Sequence, residues 1–182
     1  MEQIIEVLNN DGVILYPTDT IWGLGCKATS VEGINRIYEI KSREQSKSMI
    51  ILVESEKRLM DLVEVPAIAW DLMDLAEKPL TLVYDDPKGL PNELLAADGS
   101  IGIRLTKEPY LKKLISKLNC PLVSTSANLS GDKSPLQFSD IHQNIVSSVD
   151  YVVNQDLDRV STFSGSSIIR IWSDNRIHVI RE

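Results

Sequence analysis

Met49-Ile50-Ile51-Leu52-Val53 is a run of five aliphatic residues with no polar residue alternating among them. Successive side chains of a strand point to opposite faces of its sheet, so a strand wetted on one side alternates apolar with polar. This run does not, and it is too short for a helix, so it reads as a strand buried on both faces. Leu80 to Tyr84 and Leu122 to Thr125 read the same way. Covering both faces of such strands takes helices above and below, which predicts an α/β sandwich around a mixed sheet.

Working outward, the flanking segments supply those helices. Ile4, Ile5, Val7 and Leu8 form one apolar stripe, halted by Asn10, Asp11 and Gly12 before a strand over Val13 to Tyr16. Thr29 followed by Glu32 has the spacing of a capping box, with Val31, Ile34, Ile37 and Tyr38 at helical intervals behind it, predicting a helix from about Ser30 to Ile40. Pro66 opens a helix through Leu75, Pro109 opens one through Leu118, and Ser139 caps a third through Val146. Ile101 to Leu105 and Tyr151 to Val153 add strands, and Ser167 to Trp172, a polar turn and Ile177 to the end make a closing hairpin. No repeat or linker interrupts the pattern, so residues 1–182 are expected to form a single domain.

Composition narrows the chemistry. A formal charge of −7 gives a nucleic-acid backbone no global attraction, so any anionic ligand must be held by a local basic cluster. No apolar stretch is long enough to span a bilayer and no positively charged leader opens the chain, which predicts a cytoplasmic protein without membrane contact. Cys26 and Cys120 are too few for a disulfide framework or a zinc cluster and read as small buried hydrophobes. His142 and His178 have no helical pairing, so no histidine metal site is expected.

Three segments place polar or basic groups where a strand gives way to a loop, the usual ligand position in open α/β folds. Tyr16-Pro17-Thr18-Asp19-Thr20-Ile21-Trp22-Gly23-Leu24-Gly25 runs from a strand into a hydroxyl-rich turn with two glycines, which is either a plain turn or a place where backbone approaches a ligand. Lys41, Arg43 and Lys47 lie within seven positions at a helix exit. They either complement the helix dipole or flank a cleft at the following strand. Pro121-Leu122-Val123-Ser124-Thr125-Ser126-Ala127-Asn128-Leu129-Ser130-Gly131 ends a buried strand in hydroxyl and amide side chains, either a Ser/Thr turn or a cradle whose free N–H groups receive phosphate oxygens. Neither a Walker phosphate loop nor a dinucleotide glycine fingerprint occurs.

In this order, the three segments resemble the YrdC-like family of threonylcarbamoyl-AMP synthases, with its Pro-Thr-x-Thr strand end, Lys-x-Arg pair and Ser-x-Asn motif. The resemblance spans almost the whole chain and matches the short, single-domain form. It implies a twisted mixed sheet with helices on both faces around a large open cavity, in which threonine and ATP bind side by side. It also implies synthesis of threonylcarbamoyl-AMP and pyrophosphate from L-threonine, bicarbonate and ATP, for a modification of tRNA. Carried over by motif, Thr20, Arg104, Ser124 and one of Ser166 or Ser167 contact threonine, while Lys41, Arg43, Lys47, Ser126, Asn128, Ser134 and Arg181 contact ATP.

Lys41 and Arg43 are the expected catalytic pair, neutralising charge on phosphoryl oxygens, and Mg²⁺ arrives with the nucleotide. tRNA or the downstream tRNA-modifying complex is the expected macromolecular partner. A non-catalytic nucleotide- or RNA-binding relative of the same fold is the competing reading, and carbamoyl transfer to another acceptor a third. The chain departs from the family pattern at Glu44 and Ser48, where prolines are usual, at Trp22 for tyrosine, Thr106 for proline and Arg170 for aspartate.

Overall fold

The computed structural model describes residues 1–42, 49–154 and 165–182. Among them, nine strands form one mixed sheet: β1 (Ile14–Tyr16), β2 (Gly23–Gly25), β3 (Ile50–Val53), β4 (Leu80–Tyr84), β5 (Ile101–Leu105), β6 (Leu122–Ser126), β7 (Tyr151–Val152), β8 (Ser167–Ile171) and β9 (Ile177–Arg181). Their spatial order is β7-β1-β2-β6-β3-β5-β4-β8-β9. The β1–β7, β3–β5 and β4–β8 pairs are parallel and the other five antiparallel.

The aliphatic run behaves as its lack of alternation requires. Leu52 faces a cluster with Ile4 and Leu8 of α1 (Glu2–Asn9) and Leu111, Leu114 and Ile115 of α5 (Pro109–Leu118). Ile51 and Val53 face the opposite cluster, with Ile34 and Ile37 of α2 (Val31–Ile40) and Leu59 of α3 (Glu56–Leu62). All are essentially inaccessible, and each contributes about 1.5–3 kcal/mol by leaving water. Ala69 of α4 (Ala67–Leu75) and Ile145 of α6 (Gln143–Ser148) complete that second side.

Three local expectations are corrected. The cap of α2 is Ser30, whose Oγ accepts from Gly33 N at 2.9 Å, while the Thr29 hydroxyl lies 3.5 Å from the Cys120 thiol. Ser139 sits in a single 3₁₀ turn, Phe138–Asp140, and α6 begins later, capped by His142, whose Nδ1 accepts from Asn144 N at 3.2 Å. The Asp140 carboxylate draws the N–H groups of Leu136 and Gln137 onto itself, which closes that turn before a helix can propagate. The Gly-Leu-Gly segment is a strand rather than an open turn, held between β1 and β6. Gly25 must be glycine there, because a Cβ would lie 2.6 Å from the Val123 carbonyl oxygen and 2.7 Å from the Tyr16 ring.

Strand register then assembles a polar band. Ser124 of β6, Ile50 of β3 and Gly102 of β5 lie abreast. Because side chains alternate, Arg104 and Leu52 share their face, and Thr81 joins through its contact with Gly102. A Cβ on Gly102 would meet Ile50 Cγ2 at 2.9 Å and Thr81 Cγ2 at 3.2 Å, so these two side chains close over Gly102 and leave no room for one of its own. Ile168 of β8 stands beside Thr81, with Arg181 of β9 beyond it. Beyond the end of α5, this face is left to a hollow.

Candidate active site

The hollow offers about 190 Å³ to small groups and is walled by side chains from five strands, by Gly23 of β2 and by adjoining loops. That is less than the roughly 300–1,000 Å³ of a drug-sized site and suits a ligand of amino-acid dimensions. Thr20, Arg104, Ser124 and Ser166 line it, and so do Ser126, Ser134 and Arg181. Residues predicted for threonine and residues predicted for ATP thus meet in one place.

Arg104 is only 3% exposed. Its Nη1 donates to the Thr20 hydroxyl at 3.3 Å, and its Nη2 lies 3.0 Å from Asp19 Oδ1. That second contact is close but poorly aligned: Asp19 Oδ1 has no geometrically proper hydrogen bond, so the pair is a charge contact. Arg104 Nε is buried without a partner among the described residues. A buried guanidinium with a donor to spare is an anion receptor waiting for its second acceptor.

Thr18 organises the turn in front of it. Its Oγ1 accepts from the N–H groups of Thr20 (3.0 Å) and Ile21 (3.2 Å), and its own hydrogen goes to the Ile21 carbonyl at 2.7 Å. The two threonine hydroxyls lie 2.9 Å apart, and either can be the donor between them. Toward Arg104, Thr20 is the acceptor. Behind this turn Tyr16 is fully buried, its hydroxyl donating to Val123 O at 3.3 Å. Burial pushes its phenol far above the ordinary value, and it stays neutral.

On the far wall, Arg181 Nε and Nη2 donate to the Ser166 carbonyl at 3.0 and 2.6 Å. Burial, and then the neighbouring Arg104, pull its pKa below the ordinary arginine value without removing the charge. The Ser166 hydroxyl is 2.8 Å from Thr81 Oγ1. Of the two candidate serines, Ser166 lines the hollow. Ser167 lines a groove beside Leu72 and Leu75 of α4 on the other face.

Lys41 and Asn128 do not line the hollow. Lys41 is 1% exposed, and its ammonium donates to the carbonyls of Ser126 and of Asn128, the latter at 2.6 Å. Its own carbonyl accepts from Ser130 N at 3.0 Å. Asn128 turns its amide onto the carbonyls of Leu129 (2.8 Å) and Asp132 (2.9 Å). The N–H groups of Ala127, Asn128 and Ser130 are all bonded internally. The expected cradle of free backbone donors is therefore not what this loop presents. Its side chains, Ser124, Ser126 and, further along, Ser134, face the ligand space instead. Arg43 and Lys47 lie outside the described residues. Among the described residues no three His, Cys, Asp or Glu side chains gather to hold a metal.

Sequence reasoning did not assign a role to Thr18, Asp19 or Thr81. Thr18 and Asp19 sit inside the quoted motif, and the signal for Asp19 was a carboxylate set between two threonines in the turn after a buried strand. Thr81 is interrupted apolar patterning in β4, a polar residue on a buried face.

A family model named Sua5_yciO_yrdC and described as telomere recombination matches residues 6–182. The chain belongs to the Sua5/YciO/YrdC family. A Methanocaldococcus jannaschii protein is 32% identical over 97% of this chain and 82% of its own length. The threonylcarbamoyl-AMP synthase of Pseudoalteromonas translucida is 31% identical over 84% of each. A P. abyssi Sua5 structure complexed with L-threonine superposes with a TM-score of 0.80 at 23% identity, over 93% of this chain and 50% of that one. At that identity the likeness speaks for the fold, and the chain spans about half the length of that Sua5.

The departures of this Sua5/YciO/YrdC member have local explanations. Trp22 is buried with its ring centroid 5.2 Å from that of Phe138, so an aromatic wall is kept. Thr106 accepts from Glu108 N at 3.2 Å just before α5, doing by hydrogen bond what proline does by ring closure. Arg170 pairs with Asp85 and with Asp98 (2.8 Å) and lies 5.5 Å over Trp172, tying β8 to the loops around β4 and β5. Glu44 and Ser48 lie outside the described residues.

Proposed function

We propose that this chain is an L-threonylcarbamoyladenylate synthase, joining L-threonine, carbon dioxide from bicarbonate, and ATP. The observation that carries this reading is the convergence of a buried arginine with a spare donor, Arg104, and a second guanidinium, Arg181, on one hydroxyl-lined hollow. The name of the Pseudoalteromonas relative and the threonine complex of the Sua5 neighbour support it.

In this reading Arg104 takes the α-carboxylate as a planar fork, a geometry lysine cannot copy. Thr20, Ser124 and Ser166 bond the remaining polar groups of threonine. The amine attacks carbon dioxide and releases a proton to solvent. The resulting carbamate oxygen attacks the α-phosphorus of ATP, and the bond to the β-phosphate oxygen breaks to release pyrophosphate. Holding two anions together is the main demand, met by fixed cations and by the magnesium that travels with the triphosphate. Arg181 faces the phosphates with Ser126 and Ser134, and Arg43 and Lys47 are assigned to the same task by motif. Lys41 and Asn128 serve by shaping the loop that carries Ser126. The product, a mixed anhydride, feeds tRNA modification in the cytoplasm. No helix among the described residues is long and apolar enough to cross a membrane.

The test is an adenylate-formation assay with labelled bicarbonate, with and without threonine. Label should enter a nucleotide product only when threonine is present, and Arg104→Lys should lower kcat/KM for threonine by roughly tenfold or more, the worth of a charged hydrogen bond. Pyrophosphate release indifferent to threonine would refute the reading.

A further inference from the structure

Arg104 is reached from two sides. It lines the hollow, and it also lines a second cavity of about 420 Å³, walled by Trp70, Met73, Leu80 and Leu105. Asp19 belongs to that second cavity, and its carboxylate approaches the guanidinium from there, at 3.0 Å from Nη2. With Arg104 3% exposed and the Asp19 side chain 20%, solvent screens the pair only weakly. The hollow is therefore walled by Arg181 and by Arg104, the latter with a carboxylate set against it from behind.

From this we propose that Asp19 is a specificity-determining residue that makes the hollow select a zwitterionic amino acid over a simple carboxylate. This rests on the reading that Arg104 receives the α-carboxylate. A ligand with a carboxylate alone would set a second negative charge near Asp19 with no ammonium to offset it. Threonine brings its own ammonium, which Asp19 attracts while Arg104 and Arg181 draw its carboxylate. Asp19 need not touch the ligand to impose this. Like charges about 6 Å apart at an effective dielectric of about 20 repel enough to change affinity by roughly tenfold to a hundredfold. The same charge acts on the reaction: once the amine has become a carbamate, Asp19 repels the new anion toward Arg181 and the phosphates. A bystander that merely balances Arg104 would alter fold stability and leave the ranking of ligands alone.

The experiment is calorimetric or ligand-observed NMR binding of L-threonine, of 3-hydroxybutyrate, which lacks only the amine, and of L-threoninol, which lacks the carboxylate. Wild type should bind L-threonine at least tenfold tighter than 3-hydroxybutyrate. Asp19→Asn keeps the shape and removes the charge, and should tighten 3-hydroxybutyrate while weakening threoninol, shrinking the threonine preference by about tenfold. Asp19→Glu, which restores the charge, should restore the preference. An unchanged ligand ranking in Asp19→Asn overturns the proposal. So does a wild type that holds 3-hydroxybutyrate as tightly as threonine, a result available even if the variant does not fold. A wild type that binds none of the three sinks the synthase reading itself, and this inference with it.

Discussion

Lys41→Met separates two roles for the most buried cation among the described residues. If Lys41 met a phosphate, methionine would abolish turnover and leave the fold intact. Its position requires the reverse order of effects. The ammonium is 1% exposed and carries the carbonyls of Ser126 and Asn128. Methionine fills similar volume but donates nothing, so both carbonyls lose a charged partner inside the protein. Each such bond is worth about 1.5–3 kcal/mol, and part returns because no charge has to be desolvated. A net loss of about 2–4 kcal/mol follows, and in a domain of this size each kcal/mol moves Tm by roughly 2–4 °C. We expect Tm to fall by about 5–15 °C in a calorimetric or fluorescence melt, with turnover lost alongside. A melt within about 1 °C of wild type, with activity gone, would refute the reasoning and return Lys41 to the phosphates.

Gly102→Val should destabilise the domain by about 1–3 kcal/mol and weaken threonine binding, because its Cβ has Ile50 Cγ2 at 2.9 Å and nowhere to go. A chemical denaturation midpoint equal to wild type would contradict this. Ser100 holds the Asp98 carboxyl down to about 2, by its hydroxyl and its N–H, with Arg170 adding to it. A depressed native pKa stabilises above the unfolded value near 3.8, and the gain disappears as pH falls through about 2. Ser100→Ala should therefore be less stable than wild type at pH 5 and above, with the gap closing toward pH 2. A carboxyl titration by NMR showing a wild-type Asp98 midpoint near 3.8 would remove the basis for it. Thr18→Val should raise KM for threonine with kcat little changed, since Thr20 loses the hydroxyl that holds its side chain and its N–H. Equal KM in both proteins would show that Thr20 needs no such anchor.

The central architecture was legible because burial on both faces leaves a compositional mark. β3 could be read from aliphatic residues that fail to alternate, α1 from a stripe that repeats, and α5 from the proline that opens it. β2 could not, since Gly-Leu-Gly has no strand preference of its own and is made a strand by neighbours on both edges. The start of α2 missed by one residue because Thr29 and Ser30 are equally good caps and packing against Cys120 takes Thr29. At the site, Thr20, Arg104 and Ser124 were legible as motif positions at strand ends. Where a long side chain points was not. Lys41 looks like part of a basic loop in sequence, yet the turn of α2 sends it inward. Ser166, just before β8, and Ser167, its first residue, point to opposite faces of the sheet, a matter of register that no single sequence displays.

Arg181 stands on β9, whose five residues are all exposed and which, among the described residues, is bonded to the sheet through β8 alone. A strand so thinly covered opens far more often than the core does, by local fraying that leaves the rest of the sheet intact. The hollow therefore has one cation fixed in the interior and another mounted on a hinge, and its hold on a second anion follows the closing equilibrium of a hairpin. Amide exchange across β9 should slow when phosphate groups arrive, while the amides of β3 and β5 keep the pace of the whole domain.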